Sequence, residues 1–456
     1  MTELATPTTI HLIGAGGAGM SALAKLLSQM GHTVSGSDLK ASPSLLGLAD
    51  LGIRVWEGSR PEDIAGAEIV VASSAVPERD AELTGARQLG ITVWRRPDLL
   101  AALTRATPAL AATGTHGKTT STAMMVAALR ATGADPSFVV GGTLNGLGTN
   151  AHLGNPELLI LEADEAFGTF LSLTLRGLTL TNVEAEHLEY YESLAEIEDA
   201  FTSVARATAG PVVACLDDPG ARRVAARTGA IGYGAHPEAK WRLADVELGA
   251  SSVSFVLHHD DWSMPVIVPQ PGLHSALNAA GVLALLGELG HSLAGAADGI
   301  RRYRGVQRRF EGRGTIGGVT IVDDYAHHPT EVMATIRAAL AGDWRSVWAV
   351  FQPHLYSRTE RLYREFGSAF TGVDHVVVTD VYGAREVPVP GVTGRLVADA
   401  AEARTQSVVH YVPHRADLAR YLAERLSPGD LVLTMGAGDI TLLADELTRE
   451  LTSHEP

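Results

Sequence analysis

The chain has 456 residues, which is too long for a single hydrophobic core and predicts about three domains. Apolar residues make up 46% and charged residues 19%, as in ordinary globular proteins. A formal net charge of −16, without a long block of Lys or Arg, argues against a nucleic-acid partner. No stretch approaches ~18 consecutive apolar residues, and the single cysteine, Cys215, excludes an internal disulfide. We therefore expect no membrane insertion and a cytoplasmic location.

The first part of the chain repeats a strand, a turn and a helix. Its predicted strands are residues 10–13, 33–36, 69–72 and 91–94, and its first predicted helix is 20–30. Strands that alternate with helices are typical of a parallel, doubly wound sheet. This pattern predicts an N-terminal Rossmann-like domain over residues 1–106.

The middle of the chain, residues 107–313, begins with the same alternation. Its predicted strands are 109–112, 158–161 and 178–181, and its predicted helices are 119–131 and 274–289. Between residues 241 and 268 apolar and polar side chains alternate, which indicates antiparallel strands. The pattern predicts a central P-loop ATPase-like domain with an antiparallel edge.

The last part of the chain, residues 314–456, again alternates strands with helices. Its predicted strands are 320–322, 346–351, 375–379, 408–411 and 431–434. This pattern predicts a C-terminal Rossmann-like domain. The predicted fold class is therefore α/β, with three domains in series.

Residues 14–19 contain the pattern GxGxxG directly after a predicted strand and before a predicted helix. Glycines let the backbone turn tightly and approach a diphosphate, which the N-terminus of the helix attracts. Asp38 follows the next predicted strand, where a Rossmann domain recognises a ribose hydroxyl. The pattern alone leaves open which diphosphate is bound, and a dehydrogenase cofactor or a merely structural turn are alternatives.

The loop at residues 114–120, GTHGKTT, is a more specific signal for phosphate binding. Successive backbone N–H groups of such a loop surround the phosphates, and Lys118 would reach the β- and γ-phosphates. The hydroxyl of Thr119 can ligate Mg²⁺. Ala112 replaces the first glycine of the usual pattern. The loop predicts a site for a nucleoside triphosphate, and therefore an ATP-using enzyme.

Carboxylates follow two predicted strands of the middle domain. Residues 162–165 read EADE, and residues 182–187 read NVEAEH. Because the carboxyl ends of parallel strands meet at one edge of a sheet, these side chains are well placed to hold Mg²⁺ beside the phosphate loop. His187 is either a metal ligand or an ordinary polar loop residue. Two metal ions that bridge the phosphates would neutralise charge during phosphoryl transfer.

Polar segments also follow two predicted strands of the last domain, at residues 322–330 and 351–359. The first segment contains paired aspartates and paired histidines, a combination that suggests zinc. The histidines are adjacent, however, so their side chains diverge, which argues against a zinc site. Solvated loop histidines are the alternative.

Taken together, these segments resemble the Mur ligases of peptidoglycan synthesis, and within that family the alanine-adding branch. The resemblance runs in family order from residue 10 to residue 439. The segments that carry it are IHLIGAGGAGMSALA, GSD, SSAVP, GTHGKTTS, EADE, TNVEAEH, HSALNA, RRFEGRG, DDYAHHPTEV, FQPHLYSRT and GAGD.

The resemblance implies an enzyme that uses ATP to join L-alanine to UDP-N-acetylmuramate through an acyl phosphate, the first amino-acid addition to the peptidoglycan precursor. It implies that the N-terminal domain holds the UDP-sugar and that the central domain binds ATP with two Mg²⁺ ions. The C-terminal domain would close over both and contribute to the amino-acid site. We expect a monomer or a weak homodimer.

The resemblance also implies roles for the residues that match the family's motifs. Those for ATP are Gly114, Thr115, His116, Gly117, Lys118, Thr119, Thr120, His274, Asn278, Arg309 and Asp324. Those for the UDP-sugar are Gly14, Gly16, Gly17, Gly19, Met20, Ser21, Ser37, Asp38, Ser73 and Ser74. Those for the amino acid are Tyr325, His327 and Arg358, and those for the metal ions are Thr119, Glu162 and His187. The implied catalytic residues are Lys118, His187, Arg309 and His327.

Some positions depart from the family's usual pattern. Glu186 stands where Asp is usual, and Ala166 and Phe167 stand where Ser-Asp is common, so the roles of these residues stay open. Leu355 stands where many relatives carry Arg, which leaves open the strictness for L-alanine over glycine or serine.

Three other functions compete with this interpretation: a ligase that recycles murein tripeptide onto the same nucleotide sugar, a non-catalytic UDP-sugar-binding protein, and a dehydrogenase. The glycine turn at residues 16–21 fits the alanine-adding branch better than the recycling ligase. The intact ATP and metal residues argue against a non-catalytic protein, and a dehydrogenase would leave the ATP loop unexplained.

Overall fold

The structure, a computed structural model, describes residues 4–186, 190–384 and 386–453. Over these residues the chain forms three β-sheets of five, ten and six strands, with helices between the strands, which confirms the predicted α/β class. The chain divides into two compact units. The first unit is Met1–Asp245, Phe255–Ile267 and Leu277–Arg304, and the second is Val246–Ser254, Val268–Ala276 and Gly305–Pro456.

The first sheet lies in the first unit and is entirely parallel. Its strands are β1 (Thr9–Ile13), β2 (Thr33–Asp38), β3 (Arg54–Glu57), β4 (Ile69–Ala72) and β5 (Thr92–Arg95). Its helices are α1 (Ala18–Gln29), α2 (Pro43–Ala49), α3 (Ala81–Gln88) and α4 (Arg96–Ala106). The strand order is β3-β2-β1-β4-β5, so the direction of winding reverses beside β1. The turn after β1 therefore opens at the crevice where doubly wound sheets bind ligands.

The second sheet is the largest. Its strands are β6 (Ala109–Thr113), β7 (Pro136–Leu144), β8 (Thr149–His152), β9 (Asn155–Glu162), β10 (Leu175–Leu180), β11 (Val212–Cys215), β12 (Ile231–Gly234), β13 (Trp241–Leu248), β14 (Val253–His259) and β15 (Trp262–Val268). The helices are α5 (Lys118–Ala131), α6 (Leu194–Ala207), α7 (Pro219–Thr228), α8 (Leu273–Glu288) and α9 (Leu293–Arg301). The order is β15-β14-β13-β12-β11-β10-β6-β9-β7-β8, and β6 pairs in parallel with β9 and β10. The segments that follow these three strands therefore meet at one edge.

The third sheet lies in the second unit. Its strands are β16 (Glu311–Ile316), β17 (Val319–Asp324), β18 (Ser346–Phe351), β19 (His375–Val378), β20 (Val408–Tyr411) and β21 (Asp430–Met435). The helices are α10 (Pro329–Ala339), α11 (Tyr356–Ala369), α12 (Arg395–Arg404), α13 (Leu418–Ala423) and α14 (Leu442–Ser453). The order is β16-β17-β21-β18-β19-β20, and β16 is antiparallel to β17 whereas the other pairs are parallel.

Apolar side chains hold each unit together. Leu12, Leu161 and Phe201 belong to one buried cluster that spans the first two sheets. On the third sheet, Phe351 is buried on one face and Val350 on the other, each within its own cluster. In the part of the chain that the structure describes, no helix combines the length and apolar character needed to cross a membrane.

The predicted strands are all found, and those at 69–72, 346–351 and 408–411 have the predicted bounds. Six strands are missing from the prediction: β3, β7, β8, β11, β12 and β16. The start expected for the third domain, residue 314, falls inside β16. Short 3₁₀ helices lie at Pro61–Ile64, Ala166–Ser172, Arg415–Asp417 and Asp439–Thr441.

Helix α7 holds the loop that follows β10. Asp218, the N-cap residue of α7, accepts hydrogen bonds from the backbone N–H groups of Val183 (3.0 Å) and Ala221 (2.6 Å). A Cβ atom at Gly220, in the first turn of α7, would lie 2.2 Å from the carbonyl oxygen of Val183. Glycine at this position therefore lets the helix approach the loop that carries the second carboxylate segment.

We expect Gly220→Ala to lower the free energy of unfolding by about 1–3 kcal/mol, because overpacking forces the loop backbone to move. Gly47→Ala is the matched control: Gly47 also lies in a helix, α2, but no atom lies within 4 Å of the position of its Cβ. That substitution should raise the free energy of unfolding by about 0.5–1 kcal/mol, because alanine restricts the unfolded chain. Midpoints of chemical denaturation measure both changes, and equal shifts would contradict this account.

Candidate active site

The glycine turn after β1 is fixed to the end of β2. Gly14 has a positive φ of +83°, and the N–H groups of Gly14 and Ala15 both donate to the carbonyl oxygen of Ser37, at 2.8 and 2.9 Å. The N–H of Gly16 donates to Oδ2 of Asp38 at 2.9 Å. Asp38, predicted to contact a ribose, therefore also supports the turn itself.

A buried hydrogen-bond network lies beneath this turn and centres on Glu82, which is fully buried. Its carboxylate accepts from the hydroxyl of Ser37, from Nε1 of Trp56 (3.0 Å) and from the N–H of Arg60 (2.8 Å). Burial alone would raise the pKa of Glu82, but the hydrogen bonds from His11 and Ser37 hold that pKa below its usual value. The Ser37 hydroxyl, predicted to lie at the UDP-sugar site, thus points into the protein.

Two further predicted UDP-sugar residues, Met20 and Ser21, are buried in the first turns of α1. The Ser21 hydroxyl donates to the carbonyl oxygen of Ala18 at 3.0 Å. Both side chains therefore pack inside the protein, at the start of α1.

Ser73 and Ser74 follow β4 and are half-buried. A Cβ atom at Gly14 would lie 3.0 Å from Cβ of Ser73, so this segment packs directly on the glycine turn. Arg95 fixes the segment through hydrogen bonds from Nη1 to the carbonyl oxygens of Ser73 (3.3 Å) and Val76 (2.8 Å). The predicted UDP-sugar segments after β1 and β4 are thus brought together.

Both glycines of the phosphate loop have backbone conformations and surroundings that other residues would not tolerate. Gly114 has φ +131°, and a Cβ there would lie 2.1 Å from Oγ1 of Thr181. Gly117 has φ +83°, and a Cβ there would lie 2.7 Å from Oδ1 of Asn278. Asn278, predicted to bind ATP, therefore has its amide against the phosphate loop.

The phosphate loop is pinned to the segment that follows β10. Asn182 accepts from the N–H of Thr115 (3.0 Å, carbonyl oxygen) and from the N–H of His116 (2.8 Å, Oδ1). Its side-chain amide donates to the carbonyl oxygen of His116 at 3.1 Å, and Oγ1 of Thr115 accepts from the N–H of Glu184 at 2.9 Å. The N–H groups of Thr115 and His116 are thus already engaged, contrary to the expectation that successive loop N–H groups surround the phosphates. The first turn of α5, where N–H groups lack intrahelical acceptors, is the part that offers donors.

Lys118, the first residue of α5, is held by an acidic partner that the sequence analysis did not single out. Its Nζ lies 2.9 and 2.7 Å from the two carboxylate oxygens of the buried Glu165, and 3.9 Å from Oδ1 of Asp164. It also donates to the carbonyl oxygen of Gly114 at 2.7 Å. Burial favours a lower pKa for Lys118, but the charges of Glu165 and Asp164 outweigh it and hold that pKa above its usual value. Lys118 is therefore positively charged, and its Nζ is held against the backbone of the phosphate loop at Gly114.

The predicted metal ligands are described in part. Glu162, the last residue of β9, accepts from the N–H of Gly141 at 2.6 Å, and Thr119 is buried in the first turn of α5. His187, predicted to be catalytic and to bind metal, lies outside the described residues. The carboxylate and hydroxyl oxygens of the two described residues are donors of the type that Mg²⁺ prefers.

In the second unit, Asp324 ends β17 and is buried. Its two carboxylate oxygens accept from the N–H groups of Phe310 (2.6 Å) and Ala326 (2.7 Å). Burial raises its pKa to about 6, although the charge of Arg309 and these hydrogen bonds act in the opposite direction. Asp324, predicted to bind ATP, thus has both of its carboxyl oxygens fixed by backbone N–H groups.

Two neighbouring arginines lie over the ring of Tyr325. The guanidinium carbons of Arg308 and Arg309 lie 4.9 and 5.1 Å from the ring centroid. Arg308 donates to the carbonyl oxygen of Gly436 at 2.6 Å, and Nη1 of Arg309 lies 3.9 Å from Oε1 of Glu331. Arg308, which the sequence analysis did not select, therefore fixes the segment that carries the predicted Arg309.

The predicted amino-acid residues form one group in the second unit. Nδ1 of His327 lies 2.9 Å from the carbonyl oxygen of Tyr325 and 3.2 Å from Oε2 of Glu331. The rings of His327 and His354 are 6.0 Å apart, and Nη1 of the buried Arg358 lies 3.4 Å from Nδ1 of His354. The structure thus brings Tyr325, His327 and Arg358 together through His354.

Three family models match the chain in order. The Mur ligase family catalytic domain matches residues 9–107, the Mur ligase middle domain residues 112–286, and the Mur ligase glutamate ligase domain residues 308–438. The chain belongs to the Mur ligase family.

Within this family, the chain is similar to UDP-N-acetylmuramate–L-alanine ligases. It is 42% identical to that of Cutibacterium acnes over 458 residues, which covers 98% of this chain and 97% of the relative. The crystal structure of the UDP-N-acetylmuramate–alanine ligase of Thermotoga maritima matches with a TM-score of 0.86 and 26% identity, over 98% of this chain and all of that chain. A murein peptide ligase from Psychrobacter arcticus shares the fold, with a TM-score of 0.71 and 22% identity over 98% of this chain and all of that chain.

The lowered pKa of His274, on α8, predicts how the stability of the protein depends on pH. Burial lowers its pKa from 6.5 to about 4, so the folded protein resists protonation of this ring. Its contribution to stability is present above pH 6.5 and is lost as the pH falls toward 4. Relative to His274→Gln, the wild-type protein should lose about 1–2 kcal/mol of stability between pH 7 and pH 5. Denaturation midpoints at the two pH values measure this, and parallel pH profiles would contradict it.

Glu165→Gln should tighten ADP binding by roughly three- to tenfold. In the wild-type protein Lys118 must break its ion pair with Glu165 before it can contact a phosphate, and the substitution removes that cost. Calorimetric titration with ADP measures the dissociation constant. Glu157→Gln is the matched control, since Glu157 is exposed at the other end of β9 from the loop. Weaker ADP binding in Glu165→Gln would mean that Glu165 supports the loop and does not compete with the nucleotide.

Proposed function

We propose that this chain joins L-alanine to UDP-N-acetylmuramate and converts ATP into ADP and phosphate, in the first amino-acid addition to the peptidoglycan precursor. The observation that carries the proposal is the presence of two pinned nucleotide-binding turns in the first unit, one after β1 and one before α5 with Lys118 charged above it. An enzyme with two nucleotide substrates needs both turns. The similarity to L-alanine ligases over nearly the whole chain supports the choice of substrates.

The chemistry requires activation of a carboxylate. An oxygen of the lactyl carboxylate of the muramic acid attacks the γ-phosphorus of ATP, and ADP leaves. The amino nitrogen of L-alanine then attacks the carbonyl carbon of the acyl phosphate, phosphate leaves with the bonding electrons, and a base takes the proton of the amine. Positioning and cationic groups at the phosphates supply most of the catalysis in such a transfer.

The first unit supplies the groups for phosphate activation. Lys118 would hold the β- and γ-phosphates, which are anionic enough to draw it from Glu165. The N–H groups at the start of α5 would bind phosphate oxygens. Glu162 and Thr119 would hold one Mg²⁺ and His187 a second, and such ions neutralise charge on the phosphates when bound.

In the second unit we assign Asp324 to the ATP ribose and Arg309 to the phosphates. Tyr325, His327 and Arg358 would bind L-alanine, with His327 as a catalytic residue. The ring of Tyr325 contacts that of His327, and His354 lies between His327 and Arg358, which supports this assignment. We keep the expected domains, residues 1–106, 107–313 and 314–456, and the expected cytoplasmic monomer or weak homodimer as parts of the proposal.

Phosphate release tests the proposal. With ATP, Mg²⁺ and UDP-N-acetylmuramate, we expect release that depends on L-alanine and exceeds that with glycine, L-serine or murein tripeptide. Dominant use of tripeptide would favour the recycling ligase. No release with any of these acceptors would overturn the ligase proposal in favour of a non-catalytic UDP-sugar-binding protein.

Lys118→Ala should lower turnover in this assay by roughly 10²–10³-fold or more, because a charge aimed at the transferred phosphate is lost. Lys240→Ala is the matched control, since Lys240 pairs with Glu288 at 3.0 Å, away from both turns along the chain. Substantial activity of the Lys118 variant would refute the role assigned to this lysine.

A further inference from the structure

The guanidinium group of Arg96 lies on the glycine turn after β1. Arg96 is the first residue of α4, and Gly19 lies in the first turn of α1. A Cβ atom at Gly19 would lie 3.1 Å from Cζ of Arg96 and 3.2 Å from its Nη2. The last glycine of the GxGxxG pattern therefore makes room for an arginine side chain.

In the described part of the chain, the positive charge of Arg96 is paired only at a distance, with Asp164. The N-terminus of a helix already carries a partial positive charge and N–H groups without acceptors, so a cation there is unfavourable unless an anion joins it. Nη1 of Arg96 lies 3.8 Å from Oδ2 of Asp164, which is beyond hydrogen-bond distance. The same carboxylate lies 3.9 Å from Nζ of Lys118, whose nearer acidic partner is Glu165.

The hydrogen bonding of Arg96 also indicates that an anion binds here. Nε of Arg96 is buried and has no hydrogen-bond partner among the described residues. Leaving a charged donor without a partner away from water is costly, and an anionic ligand at this turn would remove that cost. The backbone before Arg96 is fixed, because the N–H of Arg95 donates to Oδ2 of Asp98 at 2.7 Å and its guanidinium holds Val76. The position of Arg96 is therefore defined by the fold.

We propose that Arg96 binds the diphosphate of the UDP-sugar, together with the N–H groups at the start of α1. The inference rests on the assignment of this turn to a UDP-sugar in the proposed function. A guanidinium group offers paired donors that match the geometry of phosphate oxygens and stays charged at all relevant pH values. Arg96 thereby becomes a binding residue for the nucleotide sugar.

Calorimetric titration with UDP tests the inference without any need for turnover. Arg96→Gln should raise the dissociation constant for UDP by roughly tenfold or more, because a charge-assisted hydrogen bond to phosphate is lost. Arg96→Lys should restore part of the affinity, since charge is kept and the planar donor pair is not. Arg105→Gln is the matched control: the same charge is removed at the other end of α4, and affinity for UDP should change less than twofold.

Gly19→Ala provides an independent variant, because its Cβ would displace the guanidinium group. We expect weaker UDP binding in Gly19→Ala alone and little further loss when it is added to Arg96→Ala. ADP titration of every variant serves as the control for folding and should show unchanged affinity.

Unchanged UDP affinity in Arg96→Gln would overturn the inference, even if turnover of UDP-N-acetylmuramate fell, because Arg96 would then act on the muramyl carboxylate. A parallel loss of UDP and ADP affinity would overturn it as well, since the fold would be damaged. If the wild-type protein binds UDP through Arg96 but releases no phosphate with L-alanine, the proposed function fails while the inference stands.

Discussion

The two glycine turns to which we assign the nucleotides, after β1 and before α5, depend on hydrogen bonds to the segment at the end of a neighbouring parallel strand. The carbonyl oxygen of Ser37 holds the turn after β1, and Asn182 holds the phosphate loop from both its backbone and its side chain. These bonds keep positive-φ glycines and the first helical turns in place before any ligand binds. The helical N–H donors are therefore preorganised, and binding does not have to order the loops.

Acidic side chains orient the cationic groups in a chain whose net charge is −16. Glu165 holds Lys118, and the buried carboxylate of Asp323 lies 3.4 Å from Nε of Arg308. Two of the proposed substrates, ATP and UDP-N-acetylmuramate, are anions, so an acidic protein must concentrate positive charge where they bind. The carboxylates of Glu165 and Asp323 thus fix the directions of the side chains of Lys118 and Arg308.

The predictable parts of this structure are those with local signals. Buried apolar runs identify most strands, and the glycine patterns that follow two of them identify the two turns assigned to nucleotides. Three of the strands that were missed have weaker signals: β7 begins with Pro136, β12 is glycine-rich and β16 is largely exposed. Glu165 was missed because its partner Lys118 is 47 residues away in the chain, and Arg96 was missed because only the fold places it on Gly19. Motifs also do not reveal side-chain direction, which is why the Ser37 hydroxyl was expected at a ligand and is found in a buried network.

Lys118 is paired with Glu165, so in the proposed function nucleotide binding at Lys118 would exchange one anion for another. A ligand gains only the difference between its own interaction with Lys118 and that of the carboxylate it replaces. The β- and γ-phosphates together carry more charge than the carboxylate of Glu165, and in the proposed function they would also reach the N–H groups of α5. In the proposed reaction, phosphate is formed only when L-alanine attacks the acyl phosphate, and the return of Glu165 to Lys118 would then favour release of that phosphate.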